Sequence, residues 1–359
     1  MLEPVGPNYV ERFYRCGTHL SPFRSVPGAG SAAAGPFQGE DWVGSTTEVV
    51  GGSGGLGLSV LADGRRLVDA IRDDPVGFLG AEHLARFGAD TGLLVKLLDA
   101  GERLPVHLHP DREFARRHLD CPHGKTEAWV VLEAPPDGTV HLGFVEQIAP
   151  DVLAGWVATQ DTDRLLASMN SFPVAPGDTV LVPAGLPHAL GAGVFVVELQ
   201  EPTDWSILLE WAGFAVDGAV DGHLGLGFDV ALQAVDRAPL SVGRLRALCH
   251  RPSPDALGVQ RLLVPAADPF FRAELVRGHG QVEASFGVLV AVEGSMTVTD
   301  SHGSHTALRR GQTWVERHED GPLTFETSGG GDRPAAVVRC LPPPPDTAGG
   351  AAAPSRPRW

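Results

Sequence analysis

Lysine is nearly missing from this chain. Of its 28 basic residues only Lys96 and Lys125 are lysine. A general preference for arginine explains the depletion but not the placing of the two lysines, which flank the most informative motif in the sequence. Lysine can shed its proton when buried and arginine effectively cannot, so Lys125 is a candidate for proton chemistry. Cysteine is scarce as well. Cys16, Cys121, Cys249 and Cys340 are far apart and form no Cys-x-x-Cys pair. That spacing argues against a disulfide framework or a zinc–thiolate site, and a reducing cytoplasm is the expected compartment. Positive charge is also short: 28 Lys and Arg against 44 Asp and Glu leave a formal net charge of −16. Broad binding to nucleic acid or an anionic membrane surface needs the opposite sign. No apolar run is long enough to span a bilayer, and the first residues lack a basic segment followed by an apolar one, so no signal peptide is expected.

Glycine and proline are plentiful, at 45 and 30 in 359 residues, which favours many turns and short strands. A hydrophobic share of 43% supplies a core, and the length suits two compact units. Residues 1–55 read as short strands and glycine-rich turns, with a strand expected at Thr46–Val50. Apolar residues at helical spacing predict helices over 66–89, with a break near Pro75, and over 150–169 and 228–249. Residues 92–99 (GLLVKLLD) read as a buried strand and 126–133 (TEAWVVLE) as an alternating one. Turns at Pro176-Gly177-Asp178 and Pro183-Ala184-Gly185 frame strands at Thr179–Val182 and Val194–Leu199. A second β-rich block runs from about 264 to 340. Its GQTWVERH and FGVLVAVEGSMTVTD segments repeat the form of GDTVLVPA and WVVLEAPPDGTVHL. The expected fold is mainly β: two cupin (jelly-roll) barrels, with inserted helices around the first, whose interior can hold a small ligand.

His107-Leu108-His109 places two imidazoles on one face of an extended segment. Glu127 opens the next apolar strand, and His188 follows a turn between two strands. Three imidazoles and a carboxylate suit zinc, manganese, iron or nickel, and four protein ligands with positions left open suit a catalytic ion. His302 and His305, in a Gly/Ser loop, are expected to be exposed. His123 stands two residues before Lys125 and joins the candidate site.

Three stretches resemble the type I phosphomannose isomerase (mannose-6-phosphate isomerase) family of cupins. They are VKLLDAGERLPVHLHPD, HGKTEAWVVLEA and VAPGDTVLVPAGLPHALGAGVFVVELQEPTDWS. GEDWVGST at Gly39–Thr46 is similar to that family's early Gly-Glu-x-Trp segment. The resemblance covers residues 9 to 211 and is looser beyond. It implies an aldose–ketose isomerase with one divalent ion, zinc first, on His107, His109, Glu127 and His188, and Lys125 as the catalytic lysine. Trp42, Lys96, His123 and Asp204 are the expected substrate contacts. Two positions depart from the family. His107 stands where glutamine is usual, and Leu208 stands where the family carries an arginine, for which Arg103 or Arg112 is a possible substitute.

The expected division is a metal-binding catalytic cupin domain over 1–211, a helical linker over 212–263, a metal-free cupin domain over 264–340 and a disordered tail over 341–359. The expected partner is a small sugar or sugar phosphate, with no nucleic acid and no membrane; oligomeric state is left open. A sugar-binding sensor without turnover is the alternative function, followed by an iron-dependent cupin oxygenase.

Overall fold

A computed structural model describes residues 2–25, 33–329 and 333–345. Most of the tail expected to be disordered, from 346 onward, lies outside the described residues. Among the described residues the strands form four sheets, nearly all paired antiparallel, and the helices are short. No helix there is long and apolar enough to cross a membrane.

A seven-stranded sheet runs in the order Cys249–His250, Thr179–Val182, Glu127–Glu133, Phe195–Gln200, Leu94–Asp99, Glu40–Val43 and Tyr9–Val10. Facing it is a five-stranded sheet ordered Ile207–Leu208, His107–Leu108, His188–Leu190, Thr139–Phe144 and Met169–Pro173. Leu98, Trp129, Val131, Val180 and Val196 from the first sheet meet Val140, Leu142 and Leu190 from the second in one buried cluster. The C-terminal block repeats this plan. A six-stranded sheet carrying Val276, Leu289 and Val337 packs on a four-stranded sheet carrying Met296, Leu308 and Phe325. The two sandwiches share a further core. The outer face of the seven-stranded sheet (Val95, Val130, Val197) lies on the six-stranded one (Leu275, Val288, Val338). Strands such as Leu94–Asp99 and Phe195–Gln200 are therefore buried along their whole length, which is why they read as near-continuous apolar runs.

Chain order and sheet membership diverge at two places. Glu3–Val5 pairs with Thr313–Glu316 at the edge of the C-terminal six-stranded sheet. Cys249–His250 returns to extend the N-terminal seven-stranded sheet.

Four expected elements differ in part. The early strand is Glu40–Val43, and Thr46–Val50 is irregular. Gly44 ends the strand in a left-handed turn, φ 56°, where a Cβ would come within 2.9 Å of Val288. The helix expected over 228–249 is broken into Phe228–Ala231, a short 3-10 turn and Val242–Leu248. Pro239 lacks an amide donor, and the chain beside it bridges Phe144 instead. The expected helix over 66–89 is three short pieces, Leu67–Asp73, Pro75–Leu79 and Ala81–Phe87. The stretch over 150–169 is two, Pro150–Thr159 and Thr162–Ala167.

Candidate metal centre and cavity

Strand register builds this site. His188 lies directly opposite His107, and Leu208 opposite His107 on its other side. These three side chains therefore form one row on the inner face of the five-stranded sheet. His109, two residues beyond His107, follows on the same side. The inner face of the seven-stranded sheet answers with charge. Glu198 pairs with Lys96 on one side and Trp129 on the other, and Lys96 pairs with Trp42. Glu127 and Glu40 lie two residues from Trp129 and Trp42, so all share that face.

The three imidazoles meet closely. Their ring centroids are 4.2 Å apart for His107 and His188, 4.8 Å for His109 and His188, and 5.0 Å for His107 and His109. One nitrogen from each lies within 4.8 Å of the others. Each Nδ1 meets a backbone carbonyl: His107 on Pro105 at 2.8 Å, His109 on Trp205 at 2.8 Å and His188 on Leu186 at 2.9 Å. A carbonyl only accepts, so each Nδ1 must donate and carry the ring proton. Every Nε2 is then left with a bare lone pair. Burial pushes all three imidazoles toward the neutral form, His109 down to about 3, with Lys125 adding to the effect there.

Glu127 sits among these lone pairs. Its carboxylate is 2.8 Å from His109 Nε2 and 3.4 Å from His188 Nε2. Burial opposes its ionisation, but His109, His188 and Lys125 around it hold it well below the usual carboxylate range. Trp129 Nε1 donates to it at 3.0 Å and fixes its orientation. A bare imidazole nitrogen against a carboxylate oxygen at 2.8 Å joins two acceptors, and only a cation or proton between them makes the contact favourable. Buried Nε2 atoms of His109 and His188 without a hydrogen-bond donor point to the same conclusion. The donor set fits a divalent metal. The carbonyls that orient each ring are the outer partners such ligands need.

A cavity of about 210 Å³ opens beside these residues. His107, Lys125, Glu127, Lys96, Glu198 and Asp204 all border it. Lys96 is nearly fully buried, with Glu198 at 3.2 Å and Glu40 at 3.4 Å from its ammonium. Burial alone would push its pKa down, but these two carboxylates leave it raised. Burial raises Glu198 to about 7. Lys125 lies 3.9 Å from Glu127, and burial, then the charge of Lys96, lowers its pKa.

The other expected site residues are placed differently. Trp42 is fully buried behind the cavity wall. It donates to Glu40 at 2.7 Å, and Lys96 lies over its ring. His123 pairs with Asp90 at 2.6 Å and does not border the cavity. Neither of the arginines considered for the Leu208 position reaches it. Arg103 makes two bonds to Glu210, at 2.7 and 2.6 Å, and Arg112 pairs with Glu201. The arginine that borders the cavity is Arg12, bonded to Glu40 at 2.9 Å and to Asp204 at 2.8 Å. Tyr14 also donates to Glu40. Arg12, Tyr14, Glu40 and Glu198 are thus site residues that motif reading passed over. Glu40 alone carried a signal, as the acid of the Gly-Glu-x-Trp segment.

Over 152 residues the chain is 35% identical to the mannose-6-phosphate isomerase of Streptococcus mutans serotype c, covering 41% of this chain and 45% of that protein. Over 112 residues it is 34% identical to mannose-6-phosphate isomerase ManA of Bacillus subtilis, covering 31% and 34%. Over these stretches the chain is similar to mannose-6-phosphate isomerases. The matched stretch spans under half the length of these relatives. No protein-family model matches the chain. Among solved structures, the mannose 6-phosphate isomerase of Bacillus subtilis superposes with a TM-score of 0.67 at 19% identity, covering 94% of this chain and 99% of that one. A variant of the phosphomannose isomerase of Salmonella typhimurium gives 0.68 at 16% identity, covering 95% and 99%. At these identities the likeness is one of fold, and it extends over almost the whole chain.

Proposed function

We propose that this chain is a metal-dependent aldose–ketose isomerase of the mannose-6-phosphate isomerase type, acting on a small sugar or sugar phosphate. The observation that carries the reading is the convergence of three imidazole nitrogens within 4.8 Å of one another, two of them against Glu127, beside Lys125 and a cavity bordered by charged side chains. His107, His109, Glu127 and His188 would hold one divalent ion. Zinc is the first choice for this donor set, with manganese, iron and nickel the alternatives. When bound, the ion would supply Lewis-acid stabilisation of the oxyanion that develops on the substrate.

The reaction moves a proton between C1 and C2 of the open-chain sugar and another between their oxygens. All electrons stay within the substrate, so no redox partner is required. Lys125 is assigned the proton transfer, a contribution worth about 10²–10⁴-fold. Lys96, held between Glu40 and Glu198, and Asp204, held by Arg12, are assigned to orienting hydroxyl groups. Trp42 acts one layer out by fixing Glu40 and Lys96. In this reading the two sandwiches are the two cupin barrels. The first, over about 1–211, carries the chemistry. The second, over about 264–340, covers the apolar outer face of the first and binds no metal. A cytoplasmic location belongs to the same reading.

Leu208 favours one other possibility, a sugar-binding cupin that does not turn over, because an apolar side chain stands where the family has arginine. Metal-reconstituted protein incubated with aldoses, ketoses and their phosphates, followed by NMR, separates the two. Interconversion supports the isomerase, and binding without conversion supports the sensor.

A further inference from the structure

We infer that the substrate of this site is an uncharged sugar and not a sugar phosphate; the inference rests on the isomerase reading and narrows it. Five carboxylates border the cavity (Glu40, Glu127, Glu198, Asp204 and Asp221) against three cations, Arg12, Lys96 and Lys125. Holding an ion through Nε2, the three histidines would keep a ring proton on Nδ1 and add no charge. A divalent ion on them brings this wall to neutrality without making it positive. Proton uptake by Glu198 raises the total by one and leaves Lys96 held by Glu40 at 3.4 Å.

Every cation in the wall already has a carboxylate partner. Arg12 is held by Glu40 at 2.9 Å and by Asp204 at 2.8 Å. Lys96 is held by Glu198 and Glu40, and Lys125 faces Glu127. A phosphate would have to take Arg12 or Lys96 from a carboxylate that is itself largely buried, leaving that carboxylate with less compensation; Lys125, 3.9 Å from Glu127, is assigned to the reacting carbons beside the metal ligands. The rim offers nothing in exchange. Its exposed members are Val50 and Asp221, and its half-buried ones are Arg12, Phe13, His107, Asp204, Ser206 and Leu224, of which the one cation, Arg12, is already held by two carboxylates. Leu208, buried and in register with His107, adds carbon beside the metal ligands. Phosphate recognition uses guanidinium forks, ammonium groups or clustered backbone amides, and the bordering side chains provide no uncommitted cation.

The same wall suits a neutral polyol. A hydroxyl donates and accepts, so it can bond to a carboxylate and an ammonium at once without disturbing their pairing. The volume of about 210 Å³ is below the roughly 300–1,000 Å³ of pockets for drug-sized ligands, as a compact sugar requires.

The test uses the full, metal-loaded chain. Conversion of aldohexoses, mannose and glucose among them, is compared with conversion of their 6-phosphates by NMR. Calorimetry compares mannitol and sorbitol with their 6-phosphates. The expected result is a kcat/KM at least about 10-fold higher for the uncharged member of each converted pair, and weaker binding of each hexitol phosphate than of its parent, as like-charge juxtaposition dictates. A 6-phosphate converted or bound better than its uncharged partner overturns the inference while leaving the isomerase reading intact. Preferential binding of the uncharged hexitols with no conversion of any sugar sinks the isomerase reading and keeps the charge assignment. Neither binding nor conversion overturns both. Leu208→Arg and Asp221→Asn should each shift the ratio toward the phosphates, and an unchanged ratio in both variants counts against the wall as its cause.

Discussion

Arg12 is bonded to Asp204 across 192 residues of chain, at 2.8 and 3.2 Å, while its Nε donates to Glu40 at 2.9 Å. One guanidinium thereby ties the N-terminal segment to the segment that follows the last long strand of the seven-stranded sheet, and both of its partners border the cavity. Arg12→Ala should leave Asp204 without its cation and Glu40 with Lys96 alone, both carboxylates being largely buried. The expected loss of stability is about 3–5 kcal/mol, as for other broken buried pairs, measured by urea denaturation. A loss below about 1 kcal/mol, the level of an exposed pair, would mean that water replaces the guanidinium.

Lys125→Met removes the ammonium and keeps most of the side-chain length. Because Lys125 is not among the metal donors, metal content should be retained. Turnover should fall by at least about 10²-fold, the low end for a proton-transfer group. Elemental analysis beside steady-state rates on the same preparation checks this. Parallel loss of metal and activity would make Lys125 a structural support of Glu127.

The His123–Asp90 pair predicts a pH dependence of stability. Burial alone would lower the imidazole pKa, but Asp90 at 2.6 Å leaves it raised above 6.5. Burial likewise opposes ionisation of Asp90, yet His123 and the amide of Gly92 leave it below 3.8. A raised His pKa stabilises fully below the ordinary value of 6.5 and fades as pH rises through the folded value. A lowered Asp pKa stabilises above 3.8 and fades as pH falls. His123→Asn should therefore destabilise more at about pH 5.5 than at about pH 8.5. Equal losses at the two pH values, in urea titrations, would show that the pair is held by packing alone.

Of the proposed metal donors, only His107 and His109 share a local spacing, since His-Leu-His in an extended segment puts both rings on one side. His188 comes opposite His107 by sheet pairing, after a turn that carries the chain from the seven-stranded to the five-stranded sheet, and it was singled out by its motif alone. The charged wall was not legible in the same way. Glu40, Lys96 and Glu198 come together through strand pairing between residues 54 and 102 apart in the chain, Trp42 opposite Lys96 and Glu198 opposite Lys96. No short motif records that register. Trp42 was read as a substrate contact because its motif stands out, whereas its ring lies behind the wall and its neighbour Glu40 faces the cavity. The helix read over 228–249 failed at Pro239, where apolar spacing continues but the amide ladder cannot. The first strand's place in the C-terminal sheet, Glu3–Val5 on Thr313–Glu316, likewise has no local signature.

The central claim is that His109 Nε2 and Glu127, two acceptors 2.8 Å apart, are reconciled by a divalent ion. Elemental analysis of the purified chain, with His109→Ala and His188→Ala measured beside it, tests this most directly. The account predicts about one divalent ion per chain in the parent protein and its loss from both variants, since a catalytic site of this kind relies on each protein ligand. A parent protein that carries no ion, and whose thermal stability is unchanged by added zinc, manganese, iron or nickel, would contradict it.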